Sequence, residues 1–131
     1  MLLHLKIIGA LLTTLGLAHA VFPRYFDWKN DLASLSLINR QVMQTHNFFI
    51  AFVVVGLGVL CLTSGAELTT TPLGSRICLF FSAFWGIRLI FQHFVYAPEL
   101  WRGKLFETIV HILFTAIWIY MTVVFYLAAG V

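Results

Sequence analysis

Residues Phe48–Leu62 read FFIAFVVVGLGVLCL, an unbroken apolar run that contains no charged side chain. Extended to its polar borders, the run covers about Met43 to Thr63. As a helix it is about 30 Å long, the thickness of a bilayer's hydrocarbon core. A soluble helix of that length would keep one polar face for water. This one has none, so its expected solvent is lipid.

The rest of the chain repeats the pattern. Further apolar runs cover about Leu3 to Val21, Ile77 to Val95 and Phe106 to Ala128. Across the 131 residues 61% are hydrophobic and 10% charged, against about 25% charged in an ordinary soluble domain. No run alternates with a period of two, which argues against a barrel. The expectation is one all-α transmembrane domain over residues 1–131, a four-helix integral membrane bundle. Ser64, Gly65, Pro72 and Gly74 mark a polar turn between the second and third spans. Pro98 and Gly103 mark the link between the third and fourth.

Phe22 to Val42 reads FPRYFDWKNDLASLSLINRQV and mixes charge with apolar residues. Leu32, Leu35, Ile38 and Val42 recur at helical spacing. Phe22, Tyr25, Phe26 and Trp28 have the character of an interfacial aromatic belt. The segment reads as a short amphipathic helix on the membrane surface between the first two spans, with Asp27 as its cap. A water-exposed loop is the competing reading.

Charge sets the expected orientation. With four spans, Lys6 and Arg76 lie on one side of the membrane. Arg24, Lys29, Arg40, Arg102 and Lys104 lie on the other. The more basic side is expected in the cytoplasm, which places both termini outside. In a bacterium this is the inner membrane. Ala18, His19 and Ala20 also fit a signal-peptide cleavage pattern. Cleavage there would leave Arg24 and Lys29 outside, against the charge rule. The net charge of +3 is thereby a topology signal, and no basic patch interleaved with aromatics points to nucleic acid.

This topology gathers the polar residues of the spans in the cytoplasmic half. His46 and Asn47 open the second span, Arg88, Gln92 and His93 close the third, and Glu107 and His111 open the fourth. Arg88 lies seven residues from the end of its span, about 10 Å deep. An intramembrane arginine costs at least about 2.5–3.5 kcal/mol unless it is paired or hydrated. Arg88 and Gln92 share a helix face, as do Glu107 and His111. Together with His46 they outline a pocket for an anionic or amphipathic ligand. Arg88 would supply charge and Gln92 a hydrogen bond, with Glu107 and His111 as balancing or proton-exchanging groups. The simpler reading is an Arg88–Glu107 pair that fixes helix register, or an Arg88 that snorkels to the surface.

Other chemistries have weaker support. A haem would need axial histidines such as His46 and His111, yet no haem motif occurs. His93, Glu107 and His111 follow no recognised metal-ligand pattern. A proton-coupled transporter favours a carboxylate deep in the bundle, and Glu107 is near the interface. Cys61 and Cys78 lie near the outer face, at a depth that suits either a disulfide across the turn in an oxidising compartment or two small apolar packing residues, and they lack the C-x-x-C spacing of redox catalysis. Gly9 and Gly16 on the first span and Gly56 and Gly58 on the second allow close helix approach. Phe80, Phe81, Phe84, Trp85, Phe91 and Phe94 give the third an aromatic stripe suited to packing, to lipid, or to a partner helix, pigment or quinone ring.

The strings LSLINRQVMQTH (35–46), FWGIRLIFQHFVYAPELWRG (84–103) and TIVHILFT (108–115) resemble a group of small bacterial four-span proteins with no known activity. The resemblance runs from Pro23 into the fourth span. It implies fold and topology and assigns no site. The expectation is a small membrane subunit or binding protein, without enzymatic chemistry, that associates with itself or with other membrane subunits. A haem- or quinone-binding electron-transfer component and a small transporter are the alternatives.

Overall fold

The computed structural model describes residues 1–130. Its secondary structure is helical, with no strand among the described residues. In order these are α1 (Leu2–Ala18), α2 (Phe22–Tyr25), α3 (Trp28–Asp31), α4 (Leu37–Thr63), α5 (Gly65–Thr70) and α6 (Pro72–Phe94). A 3-10 turn at Pro98–Leu100 then precedes α7 (Leu105–Ala128).

Three of these helices, α4, α6 and α7, are long and apolar enough to cross a membrane. Their surfaces fit that solvent. Phe52 on α4 is 68% exposed and Leu105 on α7 80% exposed, which water would penalise and lipid does not. The first helix is apolar but shorter than expected, at 17 residues, or about 25 Å. It stops at Ala18 because Pro23 cannot continue it. The proline ring would clash with the carbonyl of His19 and supplies no N–H. The His19 ring instead lies 2.7 Å from the Leu15 carbonyl.

The segment read as one amphipathic helix is two single turns, α2 and α3, followed by bends. Asp27 divides them, with a left-handed backbone (φ 48°). Its carboxylate does not cap α3. It accepts a hydrogen bond from the Asn30 side chain at 2.8 Å. Ile38 and Val42 belong instead to α4, which starts six residues earlier than its apolar run and is 27 residues long. The polar turn after α4 also contains a helix, α5. Thr71 then opens α6 five residues before the expected start. Its hydroxyl accepts from the Gly74 N–H at 2.9 Å and donates to the Glu67 carbonyl at 2.8 Å, and Pro72 occupies the first helical turn.

The described residues form two compact units, Leu3–Gly65 and residues 66–130 with Met1–Leu2. In the first, α1 and α4 meet backbone to backbone. A Cβ on Gly9 would come within 2.8 Å of the Gly58 carbonyl oxygen, and one on Gly16 within 2.9 Å of the Val55 nitrogen. Gly58 faces Thr13 and the Gly9 carbonyl with no room to spare. Lipid tails are as apolar as side chains, so helices in a bilayer gain by close contact, which small residues permit.

In the second unit α6 and α7 form an antiparallel hairpin across the 95–104 link, turned by Gly103 (φ 76°). The Ser82 hydroxyl donates to the Thr122 carbonyl at 2.9 Å. Phe81 packs edge-on to Phe125, and Trp85 stacks on Trp118 with ring centroids 5.0 Å apart and planes 6° from parallel. Ser75 donates to the Ala129 carbonyl at the far end. These pairs advance together along both helices and set one register. On the same side α5 folds over the start of α6, where Gly74 abuts the Glu67 and Leu68 backbone. Cys61 and Cys78 are thiols, and Cys78 donates to the Leu68 carbonyl at 3.6 Å.

Candidate functional site

The α6–α7 register brings the polar residues at the link end of the hairpin together. Gln92 is in the last turn of α6 and His111 in the second turn of α7, and both are buried. The Gln92 side chain lies 2.9 Å from Nδ1 of His111. Arg88, one turn before Gln92, donates from Nη1 to Gln92 Oε1 at 3.3 Å. Trp118 donates from Nε1 to the same oxygen at 3.4 Å.

These contacts fix proton positions. Two donors converge on Gln92 Oε1, so the amide oxygen faces Arg88 and Trp118. Gln92 Nε2–H must therefore be the donor to His111 Nδ1. A neutral imidazole that accepts at Nδ1 carries its proton on Nε2. His111 is held as a hydrogen-bond donor at Nε2, with its lone pair engaged at Nδ1. The same reasoning applies to His93. Thr115 donates its only hydroxyl proton to the His111 carbonyl at 2.8 Å. Its oxygen can then only accept from His93 Nε2, 3.3 Å away.

Aromatic rings enclose the group. The Arg88 guanidinium carbon lies 5.1 Å from the Trp118 ring centroid and 5.3 Å from that of Tyr96. Both distances are in cation–π range. Tyr96 lies beyond the end of α6, so the side chain of Arg88 runs toward the end of its helix, as snorkelling requires. The Trp101 ring stacks on His111 at 4.3 Å, and the His93 ring meets His111 edge-on at 5.2 Å. Trp101 is itself held by Thr108, whose hydroxyl donates to its carbonyl at 2.6 Å, and Arg102 lies over its ring.

Of the residues expected at a site, Arg88, Gln92 and His111 are thus in one hydrogen-bonded cluster. Glu107 is exposed in the first turn of α7 and takes no part in the cluster's hydrogen bonds. Its carboxylate has a favourable place there, near the positive end of the helix dipole. Among the described residues of this unit, Arg88 makes no ion pair, and its oxygen partner is the neutral amide of Gln92. His46 lies exposed on α4, in the other unit. Beside it Asn47 donates to the His19 carbonyl at 3.1 Å and satisfies an end group of α1.

Sequence spacing did not single out Trp101, Trp118, Tyr96 or Thr115. Trp118 follows His111 by seven residues, two helical turns, and this spacing is the one signal that ties it to the cluster.

The cluster has more donors than acceptors. Arg88 carries five N–H groups and shares one with Gln92. His111 presents Nε2–H. The Trp85 indole N–H, stacked against Trp118, is buried without a partner. No group of three or more His, Cys, Asp or Glu residues able to hold a metal ion occurs among the described residues. Comparison with protein-family models, curated proteins and solved structures finds no significant match to this chain.

Proposed function

We propose that this chain is a small polytopic protein of a bacterial inner membrane that binds an anionic amphipathic ligand and performs no chemistry on it. In this reading α1 is a fourth, short span in addition to α4, α6 and α7. The segment from Phe22 to Ser36 lies along the membrane surface, and both termini face outward. The α6–α7 link then lies on the cytoplasmic side, and the cluster is in the cytoplasmic leaflet. Other membrane subunits, or further copies of the chain, would cover part of its apolar surface.

One observation carries the proposal. Arg88 has a neutral hydrogen-bond partner and two aromatic rings, but no carboxylate partner among the described residues of its unit. A cation at membrane depth without an internal counter-charge calls for an external one. The surplus of donors around it has the same demand, since only an acceptor-rich group can satisfy them.

A haem fits this site poorly. His111 Nδ1 accepts from Gln92 and Nε2 bears the proton, so neither nitrogen can ligate iron without dismantling the cluster. An absorption spectrum of the purified protein supplies the check, with no Soret band expected after incubation with haem. For the anion site, native mass spectrometry in detergent measures the mass retained per protomer. Wild type is expected to keep a bound amphipath that Arg88→Ala loses. Unaltered retention in a folded Arg88→Ala protein would falsify the proposal.

A further inference from the structure

The chemical class of that ligand follows from how the Arg88 guanidinium is presented. We infer that the group it receives is the phosphate of a glycerophospholipid, an inference that rests on Arg88 as an anion site. Two rings lie against the guanidinium, with centroids 5.1 Å (Trp118) and 5.3 Å (Tyr96) from its carbon. One N–H is bound to Gln92. Four N–H groups remain for a ligand, and an approach along the guanidinium edge gives paired N–H···O bonds to a planar or tetrahedral oxyanion.

The surroundings favour phosphate over carboxylate. The Tyr96 phenol adjoins the guanidinium, and Nε2–H of His111 belongs to the same hydrogen-bonded cluster. A carboxylate has two oxygens and is saturated by the arginine fork. A phosphodiester has two charged oxygens and two ester oxygens, with the carbonyls of the glycerol esters just below. It can serve the fork and still accept from the phenol and the imidazole. Position agrees with chemistry. The guanidinium is drawn toward Tyr96, past the end of α6, where a bilayer places its phosphates. Tyr96, Leu100 and Leu105 are exposed around the link, and they offer apolar surface to acyl chains. Arg102 and Lys104 are matched in charge there by Glu99 and Glu107. Among the described residues Arg88 makes no ion pair, so its charge is available to one monoanionic phosphate.

The test uses the full chain, stripped of lipid in detergent and incubated in turn with phosphatidylglycerol, oleate and inorganic phosphate, each read by native mass spectrometry. Phosphatidylglycerol is expected to be retained at about one per chain, with oleate at least about tenfold weaker and inorganic phosphate neither retained nor competing. R88Q should weaken phosphatidylglycerol retention about tenfold or more. R88K, which keeps the charge and loses the fork, should fall between. It also remains informative if R88Q fails to fold. Oleate retained as well as phosphatidylglycerol and lost in R88Q would overturn the phosphate assignment and leave the anion site standing. Competition by inorganic phosphate would likewise reassign the site to a free anion. Phosphatidylglycerol retained equally by wild type, R88K and R88Q, or by none of them, would overturn both.

Discussion

Gln92 is the residue on which the polar cluster turns. Its amide accepts with its oxygen and donates with its nitrogen, and it faces two donors on one side and an imidazole on the other. Gln92→Leu keeps the volume and removes both functions, leaving Trp118 Nε1–H and His111 Nδ1 buried and unsatisfied. The expected loss is about 1–3 kcal/mol, toward the lower end because membrane hydrogen bonds are worth less than their burial implies. Thermal unfolding in detergent measures it. Gln92→Glu is a sharper probe, since a carboxylate cannot donate to Nδ1. His111 must then carry a proton at Nδ1 to remain bonded, and its ring signals in a proton-detected NMR spectrum should change tautomer or charge state. An unchanged imidazole in Gln92→Glu would refute the proton assignment. At this scale the sequence was readable in part. The face shared by Arg88 and Gln92 follows from four-residue spacing, and the pairing of Gln92 with His111 from a short link. Glu107 shares a face with His111 by spacing, but it lies one turn nearer the start of α7 and is exposed there.

At the level of elements, α1 and α4 are held by what their glycines lack. Gly58→Val would drive a branched side chain into Thr13 and the Gly9 backbone, and Gly16→Val would meet Val55 and the Ala51 carbonyl. Either should destabilise by about 1–3 kcal/mol, the usual cost of overpacking. Gly56→Ala is the built-in control. A Cβ there meets nothing within 4 Å, so helix propensity alone should act, a gain of up to about 1 kcal/mol. Unfolding midpoints that drop alike at all three sites would count against the seam. Composition made the long apolar helices plain, because twenty lipid-facing residues leave no other option. It did not reveal where α1 stops, how early α4 and α6 begin, or that α5 exists. Those boundaries depend on Pro23, on the Thr71 cap and on the left-handed Asp27, single-residue events that no hydropathy average registers.

For the molecule as a whole, the open number is that of crossings. Three helices have the length and hydropathy to span a membrane, and an even count requires α1 to cross with about 25 Å. Single cysteines introduced near each end of a cysteine-free chain test this in intact cells. With four crossings an impermeant maleimide should label both ends equally. Labelling of one end alone would establish an odd count, with the α6–α7 link on the cytoplasmic side if the labelled end is the C-terminus and on the outer side if it is the N-terminus. The same seven basic residues divide 2 to 5 under four spans and 1 to 6 under three, so the labelling and not the charge rule decides the count. α4 adds a constraint of its own. At 27 residues, about 40 Å, it exceeds the hydrocarbon core and must tilt or extend into the headgroups.

The stacked indoles of Trp85 and Trp118 lie one contact away from Arg88, so the protein carries its own optical sensor. Two near-parallel rings 5.0 Å apart share excitation, and a guanidinium against one of them perturbs its excited state. An anion that draws Arg88 off the Trp118 face should shift the emission maximum and intensity of the unlabelled chain. Occupancy of the site could then be followed by its intrinsic fluorescence alone, with Trp118→Phe as the silent reference.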